Sequence, residues 1–289
     1  MRFSTSKLDP DELADDFTDA LDERQFERIR KKSAKPRGKR ALHELSTAQV
    51  DPSDPFARFD HPDLNTLGRM GYLDELHGGI KTGKEASVYL GKNANGWVAV
   101  KVYTELRVRA FRRDAAYRTG RYIGDARVEK AIRQGSSFGL DSQQGLWVQE
   151  EFEQMQYLQK AGVCVPNTVA FHGLALIMEF IGAADGQPAA RLSDLHLDPA
   201  DAQSAFRQAV QNLQRIVAAG RVHGDYSTFN LLWHRGQVVV IDFPQVMERK
   251  QNPNAADFLR RDIRSLCQSF LRLGVQADEA RISRELRAY

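Results

Sequence analysis

The sequence predicts a bilobal α+β protein, with a small strand-rich lobe, then a mainly helical lobe, and a cleft between them. Two short segments rich in valine and aromatic residues, 86–90 and 97–102, predict strands joined by a polar hairpin turn. Apolar residues recur at helical spacing from Phe206 to Val217, and Gly220 follows as a stop signal. Further helical segments close the chain, so we expect strands early and helices late.

The remaining elements follow from the same two periodicities. Apolar residues three or four positions apart predict helices, and short alternating runs rich in valine and aromatic residues predict strands. The predicted helices cover 64–73, 147–160, 258–270 and 280–286, and the predicted strands cover 168–172, 174–180, 230–233 and 238–241.

Composition excludes several classes of protein. The 289 residues are 42% hydrophobic and 27% charged, which is typical of a folded globular chain. No apolar run approaches the roughly 20 residues that span a bilayer. Two cysteines, Cys164 and Cys267, cannot build a disulfide scaffold. The start of the chain lacks the apolar core of a secretory signal, so we expect a cytoplasmic protein without a membrane segment.

Charge is distributed unevenly along the chain. Residues 9–27 hold nine acids and one base, and residues 28–40 hold eight bases and no acid. We interpret residues 1–61 as a polar arm and linker, 62–180 as the first lobe, and 181–289 as the second. A solvated arm is the simpler interpretation of the charged blocks, and contact with nucleic acid is the alternative.

The strongest chemical motif is His223-Gly224-Asp225, followed by Asn230 and later by Asp242. In a phosphoryl-transfer site, an aspartate accepts or orients the proton of the acceptor, and an asparagine and a second aspartate hold magnesium. A tight loop can carry Asp225 and Asn230, and the short hairpin that follows returns Asp242 beside Asn230. These residues predict phosphoryl transfer with Mg²⁺.

A second motif is Lys101 within the apolar strand 98–102. An unpaired buried ammonium is costly, so this lysine requires an anion. Kinases use such a lysine to hold phosphates and pair it with a helix glutamate. The residues alone leave Glu150 and Glu151 open as that partner, since both lie on the predicted helix 147–160.

A third motif is segment 80–89, Ile-Lys-Thr-Gly-Lys-Glu-Ala-Ser-Val-Tyr, on the first predicted strand pair. It lacks the spacing of a Walker A loop and the three glycines of ordinary protein kinases. Its position before Lys101 suits a turn that covers phosphates.

Together these motifs resemble the RIO family of atypical serine/threonine protein kinases, most closely its type-1 branch in prokaryotes. The resemblance covers about residues 62–270 and implies a protein-kinase-like fold of RIO type, with a small strand-rich N-lobe and a truncated, mainly helical C-lobe. The segments that carry it are 82–86, 178–182, 185–186, 223–225 and 258–262.

The resemblance implies a role for each matching residue. Asp225 would be the catalytic aspartate, and Asn230 and Asp242 would hold Mg²⁺, with Mn²⁺ as an alternative. Asp242 would also accept a phosphoryl group as an aspartyl phosphate, which would make ATP hydrolysis a plausible main activity. The nucleotide-binding set would be Thr82, Gly83, Lys84, Ser87, Lys101, Glu151, Met178, Glu179 and Ile181.

Within that set, the resemblance favours Glu151 over Glu150 as the partner of Lys101, because of its spacing from Trp147. The backbones of Glu179 and Ile181 would bind adenine, with Met178 behind them. The chain departs from the family in having Lys81-Thr82 at the first turn, Phe243-Pro244 after Asp242, and Asn252-Pro253 further on.

Forty-seven residues follow Asp242. An ordinary protein kinase needs an activation loop and further helices there. Gly224 also replaces the arginine that would contact a phosphorylated activation loop. We therefore expect neither that switch nor a large peptide-docking region.

Three functions remain open at this stage. The resemblance favours an atypical serine kinase or ATPase that binds Mg-ATP and acts in ribosome biogenesis, with basic segments 28–40 and 107–133 contacting rRNA or a ribosomal particle. Its protein acceptor is not predictable. A small-molecule phosphotransferase of the aminoglycoside type uses similar motifs. A non-enzymatic RNA-binding scaffold is disfavoured because every catalytic group is present.

Overall fold

A five-stranded antiparallel sheet forms the first part of the molecule. The computed structural model describes residues 58–83, 86–104 and 137–286, with side chains described from residue 145 onward in the last range. The sheet has the order β1-β2-β3-β5-β4. Its strands are β1 (Glu75–Thr82), β2 (Ala86–Asn93), β3 (Gly96–Tyr103), β4 (Thr168–His172) and β5 (Ala175–Glu179).

Helix α1 (Pro62–Arg69) closes one face of this sheet. Proline at the first helical position suits the start of a helix, and Leu64 and Leu67 are fully buried one turn apart. The Asp63 carboxylate accepts from Leu174 N at 2.9 Å and contacts His172 Nδ1 at 3.0 Å. The helix is therefore tied to the turn between β4 and β5.

Helix α2 (Ser137–Lys160) lies between the sheet and the rest of the molecule. Val148, Met155 and Leu158 are buried in the larger of the hydrophobic clusters, which also contains the apolar residues of the second lobe. The helix therefore packs with both parts of the molecule.

The second part consists mainly of helices around a small sheet. Helices α3 (Pro199–Ala218), α4 (Ala255–Leu271) and α5 (Glu279–Leu286) surround the three-stranded sheet β6-β8-β9. Strands β7 and β10 form a separate pair. The short strands are β6 (Ala190–Arg191), β7 (Arg221–Val222), β8 (Leu231–His234), β9 (Gln237–Val240) and β10 (Met247–Glu248).

Local sequence explains why α3 forms where it does. Asp198 caps its first turn by accepting from Asp201 N at 2.9 Å, and Pro199 follows as the first helical residue. Phe206, Leu213 and Ile216 then fall on the buried face. Gly220, with a φ of 72°, follows the helix end in the left-handed region that favours glycine.

The predicted α+β bilobal fold is confirmed, but strands β1, β6, β7 and β10 were not predicted. Every predicted helix and strand has a counterpart, although α2 begins ten residues earlier than predicted. Strand β1 was not predicted because most of its residues are exposed and Gly78-Gly79 interrupts its alternation. Pairing with β2, through two register shifts, holds it in the sheet. The predicted arm 1–61 lies outside the described residues, apart from 58–61.

Among the helices of the described ranges, none combines the length and the apolar character needed to cross a bilayer.

Close packing under the sheet makes Gly91 sensitive to substitution. A Cβ added at Gly91 would lie 2.7 Å from Val100 Cγ2 and 2.8 Å from Leu73 Cδ1, both of them buried side chains. We expect Gly91→Ala to lower the free energy of unfolding by about 1–3 kcal/mol through overpacking. Urea denaturation measures this.

Gly78→Ala, in the neighbouring strand, is the matched control because its Cβ would meet nothing within 4 Å. Its free energy of unfolding should stay within about 0.5 kcal/mol of the parent. Equal effects of the two substitutions would contradict this account of the packing.

Candidate active site

A cleft of about 600 Å³ lies between the sheet and the helical part. Strands β1 to β3 supply one wall, and the segment that follows β5 supplies the end of the cleft. The opposite wall carries Asp225 and Asp242. The predicted residues that line this cleft are Gly83, Lys101, Glu151, Met178, Glu179, Ile181, Asp225 and Asp242.

Lys101 is held at the back of the cleft by two carboxylates. Its side chain is only 8% exposed, and Nζ lies 2.7 Å from Glu151 Oε1 and 2.9 Å from Asp242 Oδ1. The residues alone left Glu150 and Glu151 open, the family resemblance favoured Glu151, and the geometry places Glu151 beside Lys101. Glu150 instead accepts from Gln154 within α2.

The pKa values of Lys101, Glu151 and Asp242 shift in different directions in this arrangement. Burial would lower the pKa of Lys101, but Asp242 and Glu151 outweigh burial and raise it above its ordinary value. Burial raises the pKa of Glu151 despite the attraction of Lys101. At Asp242 the ammonium of Lys101 outweighs burial and lowers the pKa. Lys101 is therefore a permanent cation, and Asp242 is its ionised partner.

Further donors hold Glu151 in place. The Tyr103 hydroxyl donates to Glu151 Oε2, and Phe243 N donates to Oε1 at 3.1 Å. Tyr103 lies two residues after Lys101 in β3, so both side chains leave the same face of the strand. The alternation of β3 could have revealed Tyr103, which the sequence analysis missed.

Helix α2, which carries Glu151, is attached to the second lobe near its C-terminal end. Tyr157 Oη donates to Ala219 O at 2.9 Å, and Arg221 stacks over the Tyr157 ring at 4.4 Å. Arg221 Nε also donates to Gln154 Oε1 at 2.9 Å. These contacts keep the helix where Glu151 reaches Lys101.

The loop that carries Asp225 is organised by a buried carboxylate. Asp262, on α4, accepts from Gly224 N at 2.8 Å and from Tyr226 N at 3.0 Å. The two backbone donors flank Asp225, so a single side chain sets the path of the loop. Asp262 lies in segment 258–262, which contributes to the family resemblance, but no role was predicted for this residue. Its signal was an aspartate on the buried face of a predicted helix.

A backbone hydrogen bond brings the chain segments of Asn230 and Asp242 side by side. Ile241 N donates to Asn230 O at 3.0 Å, which closes the β8–β9 hairpin and places Asp242 next in line. Asp242 has a φ of 71°, a left-handed conformation unusual for a residue with a side chain. The backbone thus turns sharply where the carboxylate meets Lys101.

The oxygen atoms near this point suit a magnesium ion. Asn230 Nδ2 donates to both Asp225 O and Asp225 Oδ2 at 2.9 Å, which leaves Asn230 Oδ1 as an acceptor. Asp242 Oδ1 faces Lys101, and Oδ2 remains. Magnesium is usually held by one or two such oxygens together with phosphates. Within the described residues, no three His, Cys, Asp or Glu side chains gather as a metal site.

Met178, Glu179 and Ile181 form the end of the cleft where adenine is expected. Glu179 N donates to Asn167 O at 2.7 Å, so only the Glu179 carbonyl is available for a base. The Glu179 side chain also turns toward Asn167. A backbone contact from Glu179 to adenine would therefore use its carbonyl.

The turn between β1 and β2 contributes less than predicted. Gly83 lines the cleft, but Thr82 and Ser87 do not. These two residues are paired directly across the strands, and strand alternation directs them away from the face that carries Lys81 and Val88. Lys84 lies outside the described residues.

Comparison with known proteins identifies the family. A RIO domain matches residues 87–282. The chain is 38% identical over 217 residues to the RIO-type serine/threonine-protein kinase Rio1 of Haloferax volcanii, covering 73% of this chain and 69% of that protein. It is 30% identical over 256 residues to the serine/threonine-protein kinase rio1 of Schizosaccharomyces pombe, covering 86% of this chain and 47% of that one.

A solved structure shares the fold. The Rio2 kinase–ADP/Mg²⁺–phosphoaspartate complex from Chaetomium thermophilum superimposes with a TM-score of 0.57 at 19% identity, covering 77% of this chain and 65% of that one. The fold and cleft define a protein of the protein-kinase-like class. Within that class, the chain belongs to the RIO family of protein kinases, in its type-1 branch, as the sequence predicted. It spans about half the length of the yeast relative.

The buried Lys101–Glu151 pair predicts a stability that depends on pH. Lys101→Met leaves Glu151 buried without its cation, which costs about 3–5 kcal/mol when the carboxyl is ionised. The loss also raises the pKa of Glu151 further above its unfolded value of about 4.3. An acid with a raised folded-state pKa binds its proton more tightly when folded, so the variant recovers stability as pH falls.

We therefore expect the deficit of Lys101→Met, measured by urea denaturation against the parent, to be larger at pH 8 than at pH 5. The triple variant Lys101→Met/Glu151→Gln/Asp242→Asn is the control, because it removes both carboxylates beside Lys101, and its deficit should not shrink at pH 5. A Lys101→Met deficit that does not change with pH would contradict the assignment of a charged buried pair.

Proposed function

We propose that this chain is a RIO-type serine kinase and ATPase that binds Mg-ATP in the cleft and transfers its γ-phosphoryl group. One observation carries the proposal. A buried lysine is fixed between Glu151 and Asp242, on the wall opposite a loop that holds Asp225 and Asn230 together. Phosphoryl transfer depends on placing these charges around the phosphates.

Each residue has a distinct part in the proposed reaction. Lys101 neutralises phosphate oxygens, and Glu151 keeps the ammonium in position. Asn230 Oδ1 and Asp242 would hold Mg²⁺, which supplies charge neutralisation at the phosphates. Asp225 orients the hydroxyl of the acceptor and takes its proton. The Asp262 carboxylate fixes the loop, so Asp225 is held in place before substrate binds.

Three acceptors fit this geometry: a protein serine, Asp242 itself, and water. In the second case a carboxylate oxygen of Asp242 bonds to the γ-phosphorus, and the bond to the β–γ bridging oxygen breaks as ADP leaves. Water then cleaves the acyl phosphate and regenerates the carboxylate. The phosphoaspartate in the Rio2 complex from Chaetomium thermophilum supports this route.

A link to ribosome biogenesis and rRNA is part of the same proposal. Its support is the sequence of two basic segments, 28–40 and 107–133, which lie outside the described residues. Dense bases with few acids suit a phosphate backbone. We place the protein in the cytoplasm on this basis.

Following both products of γ-labelled ATP tests the acceptor. We expect the parent chain with Mg²⁺ to form protein-bound label that hydroxylamine removes, followed by free phosphate. Asp242→Asn should form neither, because the acceptor oxygen and a metal ligand are altered together. Asp225→Asn should slow the release of free phosphate by about 10²–10⁴-fold, because the attacking water loses its general base.

Asp74→Asn, an exposed carboxylate outside the cleft lining, is the control and should match the parent. If the label resists hydroxylamine and is found on serine, the result contradicts the aspartyl route and favours serine phosphorylation. Parent-level turnover in Asp242→Asn would overturn the site itself.

Salt dependence tests the RNA contact. Deleting residues 1–45 removes the basic segment 28–40, so the slope of log affinity against log salt for a labelled RNA hairpin should become shallower. Each lost phosphate contact reduces the slope by about 0.7–0.9.

Deleting residues 1–27 is the matched control, because it removes the acidic block and keeps the bases. Its slope should equal or exceed that of the parent. An unchanged slope in the longer deletion would contradict the RNA contact and favour the interpretation of the arm as a solvated tail.

A further inference from the structure

Lys81, near the end of β1, lines the same cleft as Lys101 but has a different environment. It is exposed, whereas Lys101 is buried. Segment 80–89 was predicted to carry a turn that covers phosphates, but no role was predicted for Lys81 itself.

Strand register places the two lysines in one row. Lys81 pairs with Val88 across β1 and β2, and Val88 pairs with Lys101 across β2 and β3. Residues directly opposite one another in antiparallel strands project from the same face. Lys81 and Lys101 thus face the cleft from strands two positions apart, about 10 Å at the backbone.

The other charged side chains of the cleft differ from Lys81 in being paired or negatively charged. Lys101 is already engaged by Glu151 and Asp242, and Asp225 adds a third carboxylate. Arg191 pairs with Asp194 at 2.8 Å. Among the described residues, Lys81 has no carboxylate within 4 Å, so its charge is available to a ligand.

The field of Lys81 reaches across the cleft. The pKa of Asp194 is lowered chiefly by the hydrogen bond from Arg191, with a smaller contribution from Lys81. Lys81 therefore lies within electrostatic range of Asp194, which also lines the cleft.

We propose that Lys81 binds the terminal phosphates of the nucleotide and makes the cleft select triphosphates and diphosphates over monophosphates. The inference rests on the proposed function, since it requires a nucleotide in the cleft. Lys101, whose ammonium is shared by two carboxylates, positions the phosphates from behind. Lys81 supplies the unshared positive charge at the cleft mouth, on a side chain that reaches outward from β1.

Calorimetric titration of the full chain with Mg-ATP, Mg-ADP and AMP tests this. Lys81→Met should weaken ATP about tenfold, which corresponds to about 1.4 kcal/mol, while AMP changes less than about twofold. Lys81→Arg keeps the charge and should keep ATP affinity within about threefold of the parent. Lys250→Met removes an exposed lysine outside the cleft lining and should leave all affinities unchanged.

The outcomes separate this inference from the function beneath it. A parent chain that binds no nucleotide overturns the proposed function and the role of Lys81 with it. If the parent binds ATP and the Lys81→Met variant has the same ratio of ATP to AMP affinity, only the role of Lys81 is overturned. A matching thermal midpoint for the variant and the parent shows that any loss arises at the binding site.

Discussion

The buried ammonium of Lys101 is the constraint around which the molecule is arranged. A charge so deeply buried is stable only with anions beside it. Glu151 and Asp242 provide them from two different elements, a helix and the end of a hairpin. The sheet, the helix and the hairpin must therefore meet at one point, and that point is the back of the cleft.

A second buried charge organises the opposite wall. Asp262 accepts from the backbone on both sides of Asp225, and burial raises its pKa. The carboxylate is satisfied by backbone donors, whereas Lys101 is satisfied by side chains. Asp262 holds the loop through its backbone, which leaves the Asp225 side chain exposed.

The motifs were predictable because their chemistry depends on residue type and spacing. Asp225, Asn230 and Asp242 lie on one loop and one hairpin, so short-range geometry brings them together. Lys101 was predictable because an ammonium in an apolar strand requires a partner. Strand β1 was not predictable, because most of its residues are exposed and its two adjacent glycines interrupt the alternation of apolar and polar residues. Thr82 and Ser87 face away because β1 continues as a strand where a turn was expected.

By itself, the sequence determined the fold class, the order of the elements, and the local chemistry of the loop and hairpin. These depend on periodicity and on contacts between residues near one another in the chain. Only the tertiary structure revealed Tyr103 and Asp262 as supporting groups and aligned Lys81 with Lys101 across two strands. Those outcomes depend on register and on packing between distant segments, which no local spacing encodes.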